Sequence, residues 1–512
     1  MNATKRVVLN TGFLYGKMLI SMFIALYSTR IVLNALGAND FGIFNLVAGV
    51  IAMLAFLNAA MATSTQRYIS YYLGANDEEK LDSVFKSSVI LHLIIGILIV
   101  IALEISGLFL FNGFLNIPTD RIPAAKLVYQ FMIVSTFFTI NAVPYDATII
   151  AHEKLLFESI IGVLESFFKL AIAITLIYAQ KDRLILYSIL LAGLTILIRI
   201  IKSIYCYLKF KECKSYRKST LNHSLIKEMI SFASWNMFGA LCWIGSTQGI
   251  ALVLNTFFGT VINAAFGIAQ QVNSQLYSFS ANMQKALNPQ IIKNEGSGNR
   301  IQMLHLSQMA SKFGFYLLAL FAIPLIIEMP TVLQLWLKNV PENTVIFCRS
   351  LLIISLIKQL TIGSYTAIQA TGNIKTYQPI AGTILLLNIP ISYFILKQGF
   401  PASSVVITMI FMEVVSMNSS IYFWIKIAKL KLSNYINNVL LPTIIPTIIS
   451  VLVISCIRFF LRPNSNLIVL IITCLSWAFT YFMLVYIIGT NKSEKQFLNR
   501  LLKSNFQSSI KK

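Results

Sequence analysis

Charged side chains interrupt several of the long apolar stretches of this sequence, and they are the residues most able to do chemistry. Lys17, Glu165, Lys169, Lys358 and Glu413 lie near the middle of such stretches. A charge that faces lipid at the bilayer centre costs about 2.5–3.5 kcal/mol, so these side chains are expected to face the protein interior. There they can bind a ligand of opposite charge or pair with one another.

The spacing of these residues favours different roles. Glu165 and Lys169 are four residues apart, which predicts an ion pair along one helix. Lys358 and Glu413 either pair across two helices or stay available to a ligand. Lys17 has no acidic residue in its own stretch, which favours a cavity role. Lys17, Lys169 and Lys358 are therefore candidates for binding an anionic substrate, and Glu165 and Glu413 are candidates for ion pairing or coupling.

Two further charges lie near the ends of apolar stretches. Arg30 either extends to the membrane interface or lines a cavity. Lys17 and Arg30 are about 20 Å apart along a straight helix and lie on different faces, so they cannot hold one anion together. Asp146 follows Pro144, which removes a backbone donor and can bend a helix. Asp146 is a candidate gate or coupling carboxylate, with a simple interfacial acid as the alternative.

A polar stripe runs along one of the apolar segments. Its members recur at steps of four and three residues, which places them on one helical face. Such a face looks into a cavity or forms hydrogen bonds to a neighbouring helix. The stripe consists of Gln271, Gln275, Ser278, Asn282 and Lys285, and Gln271, Gln275 and Asn282 are candidate substrate-binding residues.

The composition indicates that membrane-spanning helices position these residues. Hydrophobic residues make up 57% of the 512 and charged residues 12%, with a mean hydropathy of +0.74. Unbroken apolar runs of roughly 20 residues recur along the chain, as expected of helices that cross a bilayer. The net charge of +22 resides mainly in short loops, which indicates membrane topology and argues against nucleic acid as a partner.

The apolar runs predict an all-α integral membrane protein with fourteen transmembrane helices. Lys and Arg concentrate in alternate loops, so both termini are expected to be cytoplasmic, in a multi-pass protein of the bacterial cytoplasmic (inner) membrane. The predicted spans are roughly 7–33, 42–65, 87–111, 126–149, 156–178, 184–207, 233–256, 262–283, 313–337, 345–369, 378–396, 402–425, 436–461 and 466–488.

The sequence also shows an internal repeat. Gly37 and Gly259 are 222 residues apart, as are Gly74 and Gly296, and each pair occupies a similar local sequence. This predicts two pseudo-symmetric six-helix lobes plus two additional C-terminal helices. The predicted domains are an N-terminal lobe (1–208), a basic cytoplasmic linker (209–230), a C-terminal lobe (231–430), the last two spans (431–490) and a basic cytoplasmic tail (491–512).

Two segments resemble the polysaccharide flippases (the Wzx type, including O-antigen flippases) of the MOP exporter superfamily. They read "LGANDFGIFNLVAGVIAMLAFLNAAMATSTQRYISYYLGANDEEKL" and "NAVPYDATIIAHEKL". The likeness covers nearly the whole chain and is strongest over residues 1–300. It implies alternating-access translocation of undecaprenyl-pyrophosphate-linked oligosaccharide from the cytoplasmic to the periplasmic leaflet for surface polysaccharide or lipopolysaccharide assembly. Membrane lipid, a polymerase and chain-length machinery are the implied partners, and a basic residue such as Arg30 in the first span would meet the phosphates.

The sequence leaves three other functions to weigh. A lipid II flippase differs little in chemistry, and a multidrug or cation exporter of the same superfamily should carry acidic residues in its cavity. An enzyme needs exposed acid or base groups, or a metal-binding acidic motif. The four histidines are far apart in sequence, no DxD occurs and the six cysteines form no CxxC pair. The sequence therefore predicts no catalysis, no cofactor and no metal.

Overall fold

The structure is a computed structural model that describes residues 3–52, 55–111, 117–180, 182–215, 219–337, 339–460, 466–491 and 494–496. Over these ranges the chain is helical and contains no strand. The predicted all-α class is therefore confirmed. Most of the predicted basic tail, residues 497–512, lies outside the described ranges.

The chain divides into two compact units, the first formed by residues 1–241 and 285–303. Within it α1 packs on α5, α4 packs on α6, and α2 and α3 pack on α4. Unit 1 also contains both ends of the long helix α8. Its helices are α1 Ala3–Ala52, α2 Ala55–Ala75, α3 Glu78–Phe109, α4 Ile122–Ala151, α5 Leu155–Tyr178, α6 Arg183–Lys209, α7 Glu212–Ser215 and the ends of α8 His223–Gly296.

Unit 2 is formed by residues 242–284 and 304–512. In it α13 packs against α10, α11 and α12, and α15 packs against α16. Short π-helical turns at Ile436–Leu440 and Val485–Gly489 adjoin the last two long helices. Besides the middle of α8, its helices are α9 Arg300–Leu337, α10 Thr344–Gln359, α11 Ile362–Thr371, α12 Tyr377–Lys397, α13 Ser403–Ala428, α14 Leu432–Tyr435, α15 Leu441–Phe460 and α16 Asn466–Leu484.

Two long helices contain a glycine kink. Gly37 in α1 has φ 78° and ψ 168°, and Gly259 in α8 has φ 75° and ψ −165°. A side chain at a positive φ of this kind is strained, so glycine suits the position. The two kinks are the pair found 222 residues apart in the sequence, and each has the same backbone geometry.

The second pair of the repeat forms a close helix contact inside unit 1. A Cβ atom added at Gly74 in α2 would lie 2.0 Å from the carbonyl oxygen of Lys293 in α8. A Cβ atom added at Gly296 would lie 2.1 Å from the carbonyl oxygen of Tyr71. Each glycine therefore packs against the residue three positions before the other, which gives the contact local two-fold symmetry.

The predicted number of fourteen spans is not confirmed. Eleven helices among the described residues are long and apolar enough to cross a membrane, and twelve if α10 and α11, bent by 43°, form one broken span. The difference has two sources. The predicted spans 233–256 and 262–283 both lie in α8, on either side of the Gly259 kink, and this 74-residue helix is counted once. The predicted span 42–65 covers the end of α1 and the start of α2 and includes residues 53–54, which lie outside the described ranges, so the count does not contain it.

The last two long helices attach to α9 through a mixed apolar and polar contact. Trp477 in α16 is buried and donates its indole N–H to the carbonyl oxygen of Leu320 at 3.1 Å. The Tyr316 hydroxyl lies 2.9 Å from the carbonyl oxygens of both Pro442 and Gly489. Because buried polar groups need partners, these hydrogen bonds fix the position of the C-terminal helices on unit 2.

Ion pairs reinforce this attachment at two places on α9. Lys312 is buried and donates to Glu494 Oε2 at 2.6 Å. Arg458 Nε lies 3.0 Å from Glu328 Oε1. The Lys312–Glu494 pair is buried on both sides, so removing one member would leave an uncompensated charge.

Candidate functional site

A carboxylate that sequence analysis did not select organises the charged groups of unit 1. Glu158 lies in the first turn of α5, where the helix dipole favours an acidic side chain. Its carboxylate lies 3.7 Å from Lys17 Nζ of α1, 3.2 Å from Lys202 Nζ of α6 and 3.5 Å from Lys285 Nζ of α8. Lys202 also donates to Asp146 Oδ1 of α4 at 2.7 Å. We call these five residues the lysine cluster.

Lys17 reaches Glu158 across a position that has no side chain, Gly162. Gly162 lies one turn after Glu158 on α5, and a Cβ atom there would lie 2.1 Å from Lys17 Cε. The Lys17 side chain therefore runs through the space that a side chain at position 162 would occupy. Nearby, the Ser166 hydroxyl donates to Ser21 Oγ at 2.8 Å, which ties α5 to α1 one turn further along each helix.

The lysine cluster carries one more positive than negative charge. Lys202 is the best-neutralised ammonium, because it contacts both carboxylates and its side chain is only 12% exposed. The side chains of Lys17 and Lys285 are 27% and 33% exposed and share the single carboxylate of Glu158. The excess positive charge therefore lies at Lys17 and Lys285, where an anion can approach.

The structure changes the interpretation of two predicted residues. Lys17 has no acidic partner in its own helix, as the sequence indicated, but Glu158 on α5 supplies one. For Asp146 the sequence allows a gate, a coupling group or an interfacial acid. The structure places Asp146 in the lysine cluster, paired with Lys202. Sequence reasoning assigned no role to Lys202 or Glu158, because their contacts join helices that are distant in the chain.

The predicted pair of Glu165 and Lys169 is confirmed. Lys169 Nζ donates to Glu165 Oε1 at 2.7 Å, and the two side chains are 51% and 37% exposed. Lys169 therefore has its own counter-charge and lies outside the lysine cluster. Because Lys169 carries the same charge but pairs with a different carboxylate, it is a useful control for Lys17.

Arg30 lies on an exposed face of α1. Its neighbours one and two turns earlier, Phe23, Leu26 and Tyr27, are also exposed, and among the described residues Arg30 has no ion pair or hydrogen bond. Lys17 instead contacts α5. The expected placement of these two cations on different faces of one helix is therefore observed.

Unit 2 has a smaller charged group. Lys358 at the end of α10 is half-buried, and its ammonium lies 5.9 Å from the ring centre of Tyr277. Glu413 on α13 is half-buried as well and contributes to the electrostatic potential at Lys358. Within the described part of the chain the two form no ion pair within 4 Å. The ion pair of Lys358 with Glu413 that the sequence allows is therefore not formed among the described residues. Lys358 makes a cation–π contact with Tyr277 instead.

The polar stripe on α8 is only partly available to a ligand. Gln271 and Gln275 are exposed, and no side-chain hydrogen bond to either amide is found in the described ranges. Asn282 is half-buried and has partners within the protein. Lys285, at the end of the stripe, belongs to the lysine cluster.

A second charged group joins the starts of α4 and α6 to α1, just after its Gly37 kink. Arg121, just before α4, donates to Asp40 Oδ1 at 2.9 Å and to Asp182 Oδ2 at 2.7 Å. Asp182 also caps α6 by accepting from the amides of Leu184 and Ile185. Burial alone would raise the pKa of Asp182, but the Arg121 hydrogen bond and the capped amides hold that pKa below its usual value.

Metal binding finds no support in the side chains that the structure places. In the described ranges, no three His, Cys, Asp or Glu residues are arranged to hold a metal ion.

The comparisons with known proteins agree on one architecture. The MatE family model matches residues 15–175, which include Lys17, Asp146, Glu158 and Gly162. A multidrug resistance MATE family transporter of the MOP superfamily, solved in an outward-facing conformation, aligns with 84% of this chain and 96% of its own at 17% identity, with a TM-score of 0.71. A MATE protein in the bent conformation covers the same shares at 17% identity, with a TM-score of 0.72. This chain has the MATE transporter fold.

Two further proteins are similar to this chain. A MOP superfamily transporter from Pyrococcus furiosus Vc1 (DSM3638), reported with a binding pocket of reverse polarity, covers 98% of its chain and 84% of this one at 17% identity, with a TM-score of 0.71. EpsK of Bacillus subtilis (strain 168), an uncharacterized membrane protein, is 20% identical over 306 residues. The match covers 59% of this chain and 59% of the length of EpsK.

Proposed function

We propose that this MATE-fold protein is a transporter, not an enzyme, and that it carries an anionic, lipid-linked oligosaccharide across the membrane. The observation that carries the proposal is the excess positive charge of the lysine cluster at Lys17 and Lys285. The specific cargo is undecaprenyl-pyrophosphate-linked oligosaccharide, moved from the cytoplasmic to the periplasmic leaflet.

The chemistry of such a cargo suits these side chains. A pyrophosphate that enters a low-dielectric protein must replace its hydration by charge-assisted contacts. Lysine ammonium groups act as compact point charges for phosphate, and two of them on different helices can approach one pyrophosphate from two sides. Lipid II has the same pyrophosphate and is therefore a related candidate substrate.

A multidrug exporter is the second candidate function, and the MATE fold favours it. An exported organic cation needs a carboxylate that is not already neutralised. In unit 1, Asp146, Glu158 and Glu165 each contact a lysine. Glu413 in unit 2 and Glu104 on α3 both lack a close cation among the described residues. Glu413 is half-buried whereas Glu104 is exposed, so Glu413 is the better candidate for binding an exported cation.

The test is translocation by the purified protein in proteoliposomes. A fluorescent polyprenyl-pyrophosphate disaccharide reports flipping by its protection from dithionite, and ethidium reports cation transport. We expect Lys17→Gln and Lys285→Gln each to slow flipping by about tenfold or more, because each removes a charge-assisted contact. Lys169→Gln removes the same charge from an exposed, separately paired site and should flip at the unchanged rate.

Two results would reject the proposal. One is equal flipping by all three variants and the unaltered protein. The other is ethidium transport that requires Glu413 while the pyrophosphate lipid is not moved, which would establish the multidrug function instead.

A further inference from the structure

Glu158 holds two of its three lysines weakly. Its carboxylate lies 3.7 Å from Lys17 Nζ and 3.5 Å from Lys285 Nζ, whereas ammonium–carboxylate hydrogen bonds are usually about 2.7–2.9 Å. Lys202 lies closer, but its short 2.7 Å hydrogen bond goes to Asp146. Glu158 Oε2 lies 3.2 Å from Lys202 Nζ, and Oε1 is shared between Lys17 and Lys285. The long contacts of Oε1 to Lys17 and Lys285 are therefore easily exchanged.

The exposed fractions of the side chains show which of these groups a ligand can reach. The Glu158 side chain is 10% exposed, while those of Lys17 and Lys285 are 27% and 33% exposed. A ligand can therefore reach the two ammonium groups without displacing the glutamate itself. Glu158 remains behind them as a fixed negative charge.

We infer that Glu158 is an internal counter-anion that competes with the substrate phosphate for Lys17 and Lys285. This inference rests on the proposed function and adds a role for an acidic residue in handling an anionic cargo. In the empty protein Glu158 neutralises the two ammonium groups in part. When the phosphate leaves, Glu158 regains both contacts, and this favours release.

A transporter needs such competition. A site must bind its cargo well enough to load it and weakly enough to unload it, and a pair of uncompensated lysines in a low-dielectric interior would hold a pyrophosphate too tightly. A nearby carboxylate lowers the affinity without closing the site. Glu158 should therefore reduce binding strength and increase turnover.

The experiment compares binding and transport in Glu158→Gln. Binding of farnesyl pyrophosphate to the detergent-solubilised protein is measured by calorimetry, and flipping is measured with the fluorescent lipid. We expect Glu158→Gln to bind farnesyl pyrophosphate about tenfold more tightly, since one repulsive charge is lost, and to flip the lipid more slowly. Glu78→Gln makes the same chemical change at an exposed glutamate of α3 that pairs with Lys211 at 3.2 Å, outside the lysine cluster, and it should leave both quantities unchanged.

A second variant covers the possibility that Glu158→Gln does not fold. Glu158→Asp keeps the charge but shortens the side chain by one methylene, which lengthens the contacts to Lys17 and Lys285. We expect Glu158→Asp to bind farnesyl pyrophosphate more tightly than the unaltered protein and less tightly than Glu158→Gln. Thermal unfolding of each variant confirms that it is folded before binding is compared.

The outcomes separate this inference from the proposed function. If Lys17→Gln and Lys285→Gln bind farnesyl pyrophosphate as the unaltered protein does, the anion site itself is wrong. If those two variants lose binding while the glutamate variants bind no more tightly than the unaltered protein, the anion site stands and the counter-anion role is refuted. Tighter binding with unchanged flipping would also refute it, because release would not depend on Glu158.

Discussion

The contact between Gly74 and Gly296 makes a strong prediction about stability. A Cβ atom at Gly74 would lie 2.0 Å from the Lys293 carbonyl oxygen, whereas ordinary contacts begin at 3.4 Å. The obstacle is backbone, so α2 and α8 would have to separate locally by roughly 1.4 Å. Overpacking of this kind costs about 1–3 kcal/mol. We expect Gly74→Ala to destabilise unit 1 by that amount, and Gly296→Ala to behave alike because its clash with Tyr71 is nearly the same.

Thermal unfolding of the detergent-solubilised protein measures the effect, with Gly193→Ala as the control. Gly193 is also helical, but no atom lies within 4 Å of a Cβ built there, so alanine should stabilise α6 by up to about 1 kcal/mol. The double variant should cost less than the sum of the two single variants, because both act at one contact. If Gly74→Ala unfolds at the same temperature as Gly193→Ala, the reasoning about this contact is wrong.

Three further predictions follow from other contacts. Gly162→Ala should leave unfolding nearly unchanged but weaken farnesyl pyrophosphate binding, since only the flexible end of Lys17 must move aside; unchanged binding would contradict this. Because the pKa of Asp182 is lowered in the folded protein, its stabilisation is complete above about pH 4 and disappears as pH falls through the folded-state pKa. Asp182→Asn, which keeps the helix cap, should therefore lower the unfolding temperature at pH 7 and lose that difference in acid. Lys312→Met should cost about 3–5 kcal/mol, and adding Glu494→Leu should recover most of that loss, as measured by thermal unfolding.

The glycines illustrate what the sequence can predict. A positive φ and a backbone-to-backbone contact both require a residue without a Cβ atom, so these positions are visible as glycine in the sequence itself. The spacing of 222 residues found Gly37, Gly74, Gly259 and Gly296 before their geometry was known. The structure gives the first and third the same kink and the second and fourth the same contact.

The lysine cluster illustrates what the sequence cannot predict. A helical pair four residues apart, such as Glu165 and Lys169, is fixed by local geometry and was found. Glu158 meets Lys17, Lys202 and Lys285 only because four helices converge, and no local pattern encodes that convergence. The sequence gives only a weak signal for Glu158. It lies one turn before Gly162, and a small residue within a helix can mark a close approach by another chain segment.

The glycine kinks also bear on the number of spans. Gly37 lies between the predicted spans 7–33 and 42–65, and Gly259 lies between 233–256 and 262–283. Each glycine interrupts the helical φ/ψ angles, so α1 and α8 each consist of two helical segments joined at a bend. The count of eleven or twelve includes α8 once, although its two segments correspond to two predicted spans.

The two cations of α1 must act separately if both serve the cargo. Lys17 contacts the α5 carboxylate, while Arg30 is exposed and lies 13 residues further along, about 20 Å away on a straight helix. A pyrophosphate spans only a fraction of that length, so it cannot touch both at once. Lys17 has a counter-anion that can take its charge back, whereas none is placed near Arg30 among the described residues. A phosphate held by Lys17 therefore has a built-in means of release, and one held by Arg30 would have to be released by water or by headgroups at the interface.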